Sequence, residues 1–189
     1  MKGIDISAWQ DNIDWQAVKD AGIEFVIIKL GQNYTLDSMF INHVNNAVEN
    51  GLKYGVYYYA KATSDTESQG EAVWVDSQIK QYLSGVNPEM GIWYDMEDSS
   101  IESTGVDITA LCSAFINQLQ TVGYNNVGVY SSYNWLTNGN IDTSQLDVPY
   151  WCAQYNFECN FKHPNLKIWQ YTDGLSIGGT NFDGNQYYE

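Results

Sequence analysis

Asp95 and Glu97 stand two positions apart in GIWYDMED, a segment that otherwise reads as a β-strand. Strand side chains alternate faces, so Trp93, Asp95 and Glu97 share one face while Tyr94 and Met96 take the other. Two positions along a strand separate Cα atoms by roughly 6.6 to 7 Å. Carboxylates that close disfavour each other's charge, which pushes one toward keeping its proton. A protonated carboxyl beside an ionised one is the pair that glycosidic hydrolysis needs. One serves the leaving oxygen as an acid, and the other supports the cationic centre. The plain structural alternative is a D-x-E that caps a loop or pairs with a lysine.

Asp5 repeats the pattern in GIDIS, where it shares a face with Gly3 and Ser7. Lys29 is the single charge breaking the tail of FVIIKL, on the face of Phe25 and Ile27. On neighbouring strands Asp5 and Lys29 could form an ion pair, which is the structural alternative for both. Asp183, in TNFDGNQYY, falls at the end of the last strand signal. In a closed barrel the last strand pairs with the first, so Asp183 would stand near Asp5 and complete an acidic pocket. Its bland alternative is an ordinary D-G turn.

Other catalytic patterns are missing. The chain has no G-x-S-x-G elbow, no phosphate-binding loop and no H-E-x-x-H. His43 and His163 lie outside any strand-end motif, which argues against Ser-His or Cys-His chemistry. Cys112, Cys152 and Cys159 are odd in number and widely spaced, which fits neither a disulfide framework nor a zinc site. They read as buried thiols.

Composition narrows the partners. Among 189 residues, 23 acidic side chains face 8 basic ones, a net charge of −15. Such a chain repels nucleic acid and anionic lipid surfaces, so neither is expected as a partner. Fifteen Tyr, seven Trp and six Phe are many for this length. Flat rings with a polar edge suit a glycan cleft, although core packing accounts for most rings in any protein. No cleavable leader precedes the first strand signal, and no run approaches the ~20 apolar residues of a membrane span.

Positioning the acids falls to alternating strand and helix signals. Strands are predicted over 3–7, 24–30, 53–60, 91–97 and 126–131. Helices are predicted after an Asp14 cap up to Gly22, over 38–50 before Gly51, over 65–83 with Gly85 beyond, and over 107–122 before Gly123. Short strands follow over 148–155, 167–171 and 179–183, with few helices between. About five β/α units followed by three strands predict an α/β fold, an irregular TIM-like barrel. The length falls short of the roughly 250 residues of a full barrel, which fits an abbreviated one. An open doubly wound sheet is the runner-up. The length suits one catalytic domain over 1–189, with a monomer as the default.

GIDISAWQ, FVIIKLGQ, GVYYYA, WYDMED, VGVYSS, YWCAQY, IWQYTDG and FDGNQYY occur in one order along essentially the whole chain. In this the chain resembles the lysozymes of glycoside hydrolase family 25, the muramidases of phages, bacteria and fungi. The resemblance implies cleavage of the β-1,4 bond between N-acetylmuramic acid and N-acetylglucosamine in peptidoglycan, without a cofactor. It implies Glu97 as proton donor, Asp95 as nucleophile or stabiliser of a substrate-derived intermediate, and Asp5 and Asp183 as the other two acids of the site. Lys29, Tyr57, Tyr59 and Tyr130 match residues lining the glycan groove, with Gln154, Trp169 and Gln170 in it or just behind it. Strand spacing leaves retention and inversion open, and the resemblance implies retention. One departure is Tyr58, where relatives commonly carry His; alternation turns it away from Tyr57 and Tyr59. Relatives often add a C-terminal wall-binding region, and this chain stops after the last strand. A phage-type enzyme reaching the wall through membrane holes made by another protein is the expected setting. A chitinase-like hydrolase and a non-catalytic glycan-binding module are the alternatives.

Overall fold

The computed structural model describes residues 1–84 and 88–189. In chain order the elements are β1 (Lys2–Ile6), α1 (Trp15–Asp20), β2 (Phe25–Gln32), β3 (Thr35–Leu36), α2 (Phe40–Glu49), β4 (Lys53–Tyr59) and α3 (Asp65–Tyr82). They continue with β5 (Ile92–Asp95), α4 (Ser99–Glu102), α5 (Ile108–Thr121), β6 (Val127–Ser132), α6 (Tyr133–Thr137), β7 (Tyr150–Ala153), β8 (Leu166–Ile177) and β9 (Thr180–Tyr187).

The strands close into a barrel in the order β1-β2-β4-β5-β6-β7-β8-β9 and back to β1. Neighbours from β1 round to β8 pair in parallel, and β9 runs antiparallel between β8 and β1. β3 is a two-residue antiparallel appendage of β2. The barrel is therefore closed, and the open sheet is excluded. Asp14 and Asp107 cap α1 and α5 as their positions predict, accepting from the backbone N–H of Ala17 and Ala110. The expected stop at Gly85 lies outside the described residues.

Alternation sorts the side chains into two layers. Ile4, Val26, Ile28, Val56, Tyr58, Tyr94 and Met96 face outward and pack with Phe115, Leu119 and other helix residues. Phe25, Ile27, Trp93, Trp151 and Ile168 face inward and fill the barrel floor. Two glycines make that filling possible. A Cβ on Gly3 would lie 2.3 Å from the ring of its register partner Phe25, and one on Gly128 would lie 2.6 Å from the ring of Trp93. Large side chains thus take the space that a bare neighbour leaves. With the floor full, the inward positions nearer the carboxyl ends carry polar groups.

Three details differ from the sequence reading. β5 ends at Asp95, so Glu97 lies just beyond the strand. Two short helices, α4 and α6, follow β5 and β6 where loops were expected; one turn holds too few residues for a periodicity to show. β8 runs on to Ile177 as a long hairpin with β9, but its register shifts between Gln170 and Leu175. Those irregularities break the period-two alternation that would have marked it. The three cysteines are buried free thiols.

Candidate active site

The carboxyl end of the barrel gathers the acids. Asp5 is opposite Asp183 in the β1–β9 register and opposite Ile27 on β2. Asp5 Oδ2 accepts from Asn185 Nδ2 at 2.7 Å and from Gln170 Nε2 at 3.0 Å, and the same Gln170 amide reaches Asp183 Oδ2 at 3.4 Å. The hydroxyls of Tyr130 and Tyr155 each donate to Gln170 Oε1 at 3.1 Å. One glutamine therefore links two acids to two tyrosines. Asn185 is itself oriented by the indole N–H of Trp151, 2.8 Å from its Oδ1.

Asp95 stands at the end of β5, level with Tyr59 on β4 and Tyr130 on β6. It is 5% exposed, and its Oδ1 has no hydrogen-bond partner among the described residues. Glu97 emerges beyond it into the mouth, open to solvent on one side while protein surrounds most of its carboxyl, so burial still acts on it. Asp98, the next residue, is clamped by Lys61 from the β4–α3 connection, and that contact draws its carboxyl down to about 2. Behind the strand, Glu71 of α3 is 2% exposed; it accepts from the Tyr94 hydroxyl at 2.6 Å and the Lys61 backbone N–H at 3.0 Å. The acid-bearing strand end is thereby held from its outer side.

Burial pushes all four acids above the ordinary carboxylate range. Asp5 and Asp95 are pushed furthest. After burial, the charge of Asp183 adds to the push on Asp5, and that of Glu97 to the push on Asp95. On Glu97 the Tyr130 hydroxyl works against burial, and Asp183 adds to it. Lys29 is lowered by its own burial, partly offset by Asp95 and Asp37. The ion pair allowed between Lys29 and Asp5 does not form: Lys29 Nζ donates to Gln32 Oε1 at 2.8 Å and lies 5.9 and 5.2 Å from the ring centres of Tyr57 and Tyr59. A cluster of interacting acids that retains protons is equipped for acid catalysis.

The sequence profile described as glycosyl hydrolases family 25 matches residues 4–180. The chain belongs to this family. It is 31% identical over 188 residues to the autolytic lysozyme of Clostridium acetobutylicum, covering 95% of this chain and 52% of that one. It is 26% identical to lysozyme M1 of Streptomyces globisporus, covering 97% and 65%. The chain thus spans about half to two thirds of these curated relatives. Among solved structures, the modular autolysin LytC of Streptococcus pneumoniae superposes with a TM-score of 0.83 at 25% identity, covering 99% of this chain and 46% of that one. LytC has also been solved in complex with a synthetic peptidoglycan ligand.

Most residues singled out from the sequence of this family 25 chain converge at the barrel mouth. Asp5, Asp95, Asp183, Lys29, Tyr57, Tyr59, Tyr130 and Gln170 belong to one connected cluster with Glu97 at its rim. Gln154 and Trp169 stand behind it. The Trp169 indole donates to Gln154 O at 2.7 Å, and Gln154 Oε1 accepts from Asn160 N at 2.7 Å. Together they hold the loop that carries Tyr155. Tyr58 faces outward, fully buried, in aromatic contact with Trp74 and Phe115. Asn185 and Tyr155 were missed. Asn185 shares the face of Asp183 by alternation and was legible on that ground; Tyr155 ends the strand predicted over 148–155, but β7 stops at Ala153, so alternation does not report where its ring points.

Proposed function

We propose that the chain hydrolyses the β-1,4 bond between N-acetylmuramic acid and N-acetylglucosamine in peptidoglycan. The observation that carries this reading is the four-acid cluster at the mouth of a family 25 barrel, with one acid at the rim and one sealed beneath it. The lysozymes among its relatives and the peptidoglycan ligand of LytC support the same substrate.

In this reading Glu97 is the proton donor, because a bridging oxygen arriving from solvent meets the exposed carboxyl first. Burial alone favours the proton on Asp95. A sugar seated over the pair changes that balance. It removes water from Glu97, which raises it, while an acetamido N–H donated to Asp95 favours the ionised form there. Asp95 then orients the substrate's own acetamido group, whose oxygen bonds to the anomeric carbon as the leaving oxygen departs with the Glu97 proton. A water that gives its proton to Glu97 then attacks the anomeric carbon, frees the acetamido group and restores the acid. Asp5 and Asp183, tied together through Gln170, hold the floor of the site. Lys29, Tyr57, Tyr59 and Tyr130 line the groove. The enzyme works on the bacterial cell wall, and a phage-type release through membrane holes made by another protein fits this substrate.

The test is end-group analysis of purified walls and of chitin oligomers after incubation with the protein. New reducing muramic acid ends from walls, with little attack on chitin, is the expected result. Cleavage of chitin alone moves the reading to a chitinase-like enzyme. Wall binding without any new ends moves it to a binding module.

A further inference from the structure

Trp9 is 91% exposed, yet it does not sit on a loose loop. It follows β1 directly, and each residue around it is tied down. Trp9 N–H donates to Ser7 Oγ at 3.3 Å, Ala8 N–H to Asp37 Oδ2 at 3.1 Å, and Gln10 N–H to Ser7 O at 3.0 Å. The Gln10 side chain returns to accept from Ser7 N–H at 3.1 Å. The backbone that carries the indole is thus fixed, and the ring is presented to water rather than folded onto the nearest apolar surface, a placement suited to binding.

Two hollows share Trp9 as a common wall. One, of about 250 Å³, is the acid pocket itself, with Asp5, Asp183 and Tyr57. The other, of about 540 Å³, lies on the far side and is lined by Lys29, Gln32, Asn33, Leu36 and Asp37. Of its lining only Lys29 has a role above, and Trp9, Gln32, Asn33, Leu36 and Asp37 have none. Its chemistry is mixed: the Trp9 face and Leu36 are apolar, and the Gln32 and Asn33 amides and the Lys29 ammonium are donors. Both Asp37 oxygens are already engaged, by the backbone N–H of Ala8 and Met39. Lys29 gives one of its three N–H donors to Gln32.

We propose that the hollow beyond Trp9 is a further subsite for an N-acetylated hexosamine ring of the same glycan strand, adjoining the acid pocket along the strand. Trp9 stacks on the apolar face of that sugar, and the Lys29 ammonium and neighbouring amides donate to its acetamido carbonyl and hydroxyl oxygens. A flat ring opposed by donors fits a sugar and suits neither a lipid chain nor a phosphate. Continuity with the acid pocket, through Trp9 itself, makes the occupant another unit of the strand whose cleavage is proposed above, and the subsite rests on that reading.

The subsite predicts a dependence on chain length. Calorimetric titration of the inactive Glu97→Gln protein with short and long muramic acid-containing glycan fragments reads it directly. Adding Trp9→Ala to that background weakens binding of long fragments by about tenfold, or about 1.4 kcal/mol. Fragments too short to pass Trp9 bind as before, and Trp9→Phe recovers part of the loss. The melting temperature stays unchanged, since the indole contributes little to the core. Equal loss for short and long fragments, or no loss for either, overturns the subsite while leaving the hydrolase reading intact. Failure of the Glu97→Gln protein to bind any fragment overturns both.

Discussion

Asp95 is held between two demands, since burial opposes its charge while the proposed mechanism calls for a titrating group beside Glu97. A carboxyl raised in the native state keeps its proton where the unfolded chain has released it. Its contribution to stability is therefore full below the ordinary carboxylate range and is lost as pH rises through its folded value. Asp95→Asn removes that loss. The variant should melt higher than wild type at neutral pH, by about 2–4 °C for each kcal/mol regained, and the gain should shrink toward zero in strong acid. Thermal scans at both pH values check this, and a gain independent of pH would contradict it. Activity should fall with the same substitution, as expected where stability is given up for function. The residues of this site were unusually legible. Asp5, Asp95 and Lys29 announce themselves as charges interrupting apolar strands, and alternation alone puts them on the inner face. What was not legible is who holds whom. The Gln170 bridge and the Glu71–Tyr94 contact join residues distant in sequence, and no local pattern reports such pairs.

At the scale of elements, the site depends on how deeply the floor beneath it is packed. Trp93 fills space next to Gly128, and Asp95 is the next inward residue on the same strand. Gly128→Ala should push Trp93 aside, cost about 1–3 kcal/mol by overpacking, and tilt the end of β5. Urea unfolding should show the lowered stability. Steady-state kinetics should show kcat falling more than KM rises, because Glu97 is misplaced while the groove remains. A variant with unchanged stability would mean that the floor has slack at this position. Long β-branched runs and Asp caps made β2, α1 and α5 readable in advance. The β8–β9 hairpin resisted because its shifts in register erase the alternation, and α4 and α6 are too short to show a period.

For the whole molecule, a net charge of −15 works against approach to the proposed substrate, a wall that carries anionic polymers. Raising ionic strength from low to about physiological salt should screen that repulsion and speed wall clearance, whereas small neutral fragments should respond little. Parallel rates on walls and on fragments distinguish the two, and a wall rate that falls with salt would point instead to a local basic contact. Barrel closure, visible in the sequence only as a strand signal at each end, is what makes the acids one site, because β9 sets Asp183 beside Asp5. The proton donor is the centre of the mechanism, and Glu97→Gln tests it most directly. Turbidity of purified cell-wall suspensions should fall with wild type and new reducing muramic acid ends should appear. The variant, folded by the same melting criterion, should be slower by about 10²–10⁴-fold. Clearing by Glu97→Gln at close to the wild-type rate would contradict the assignment.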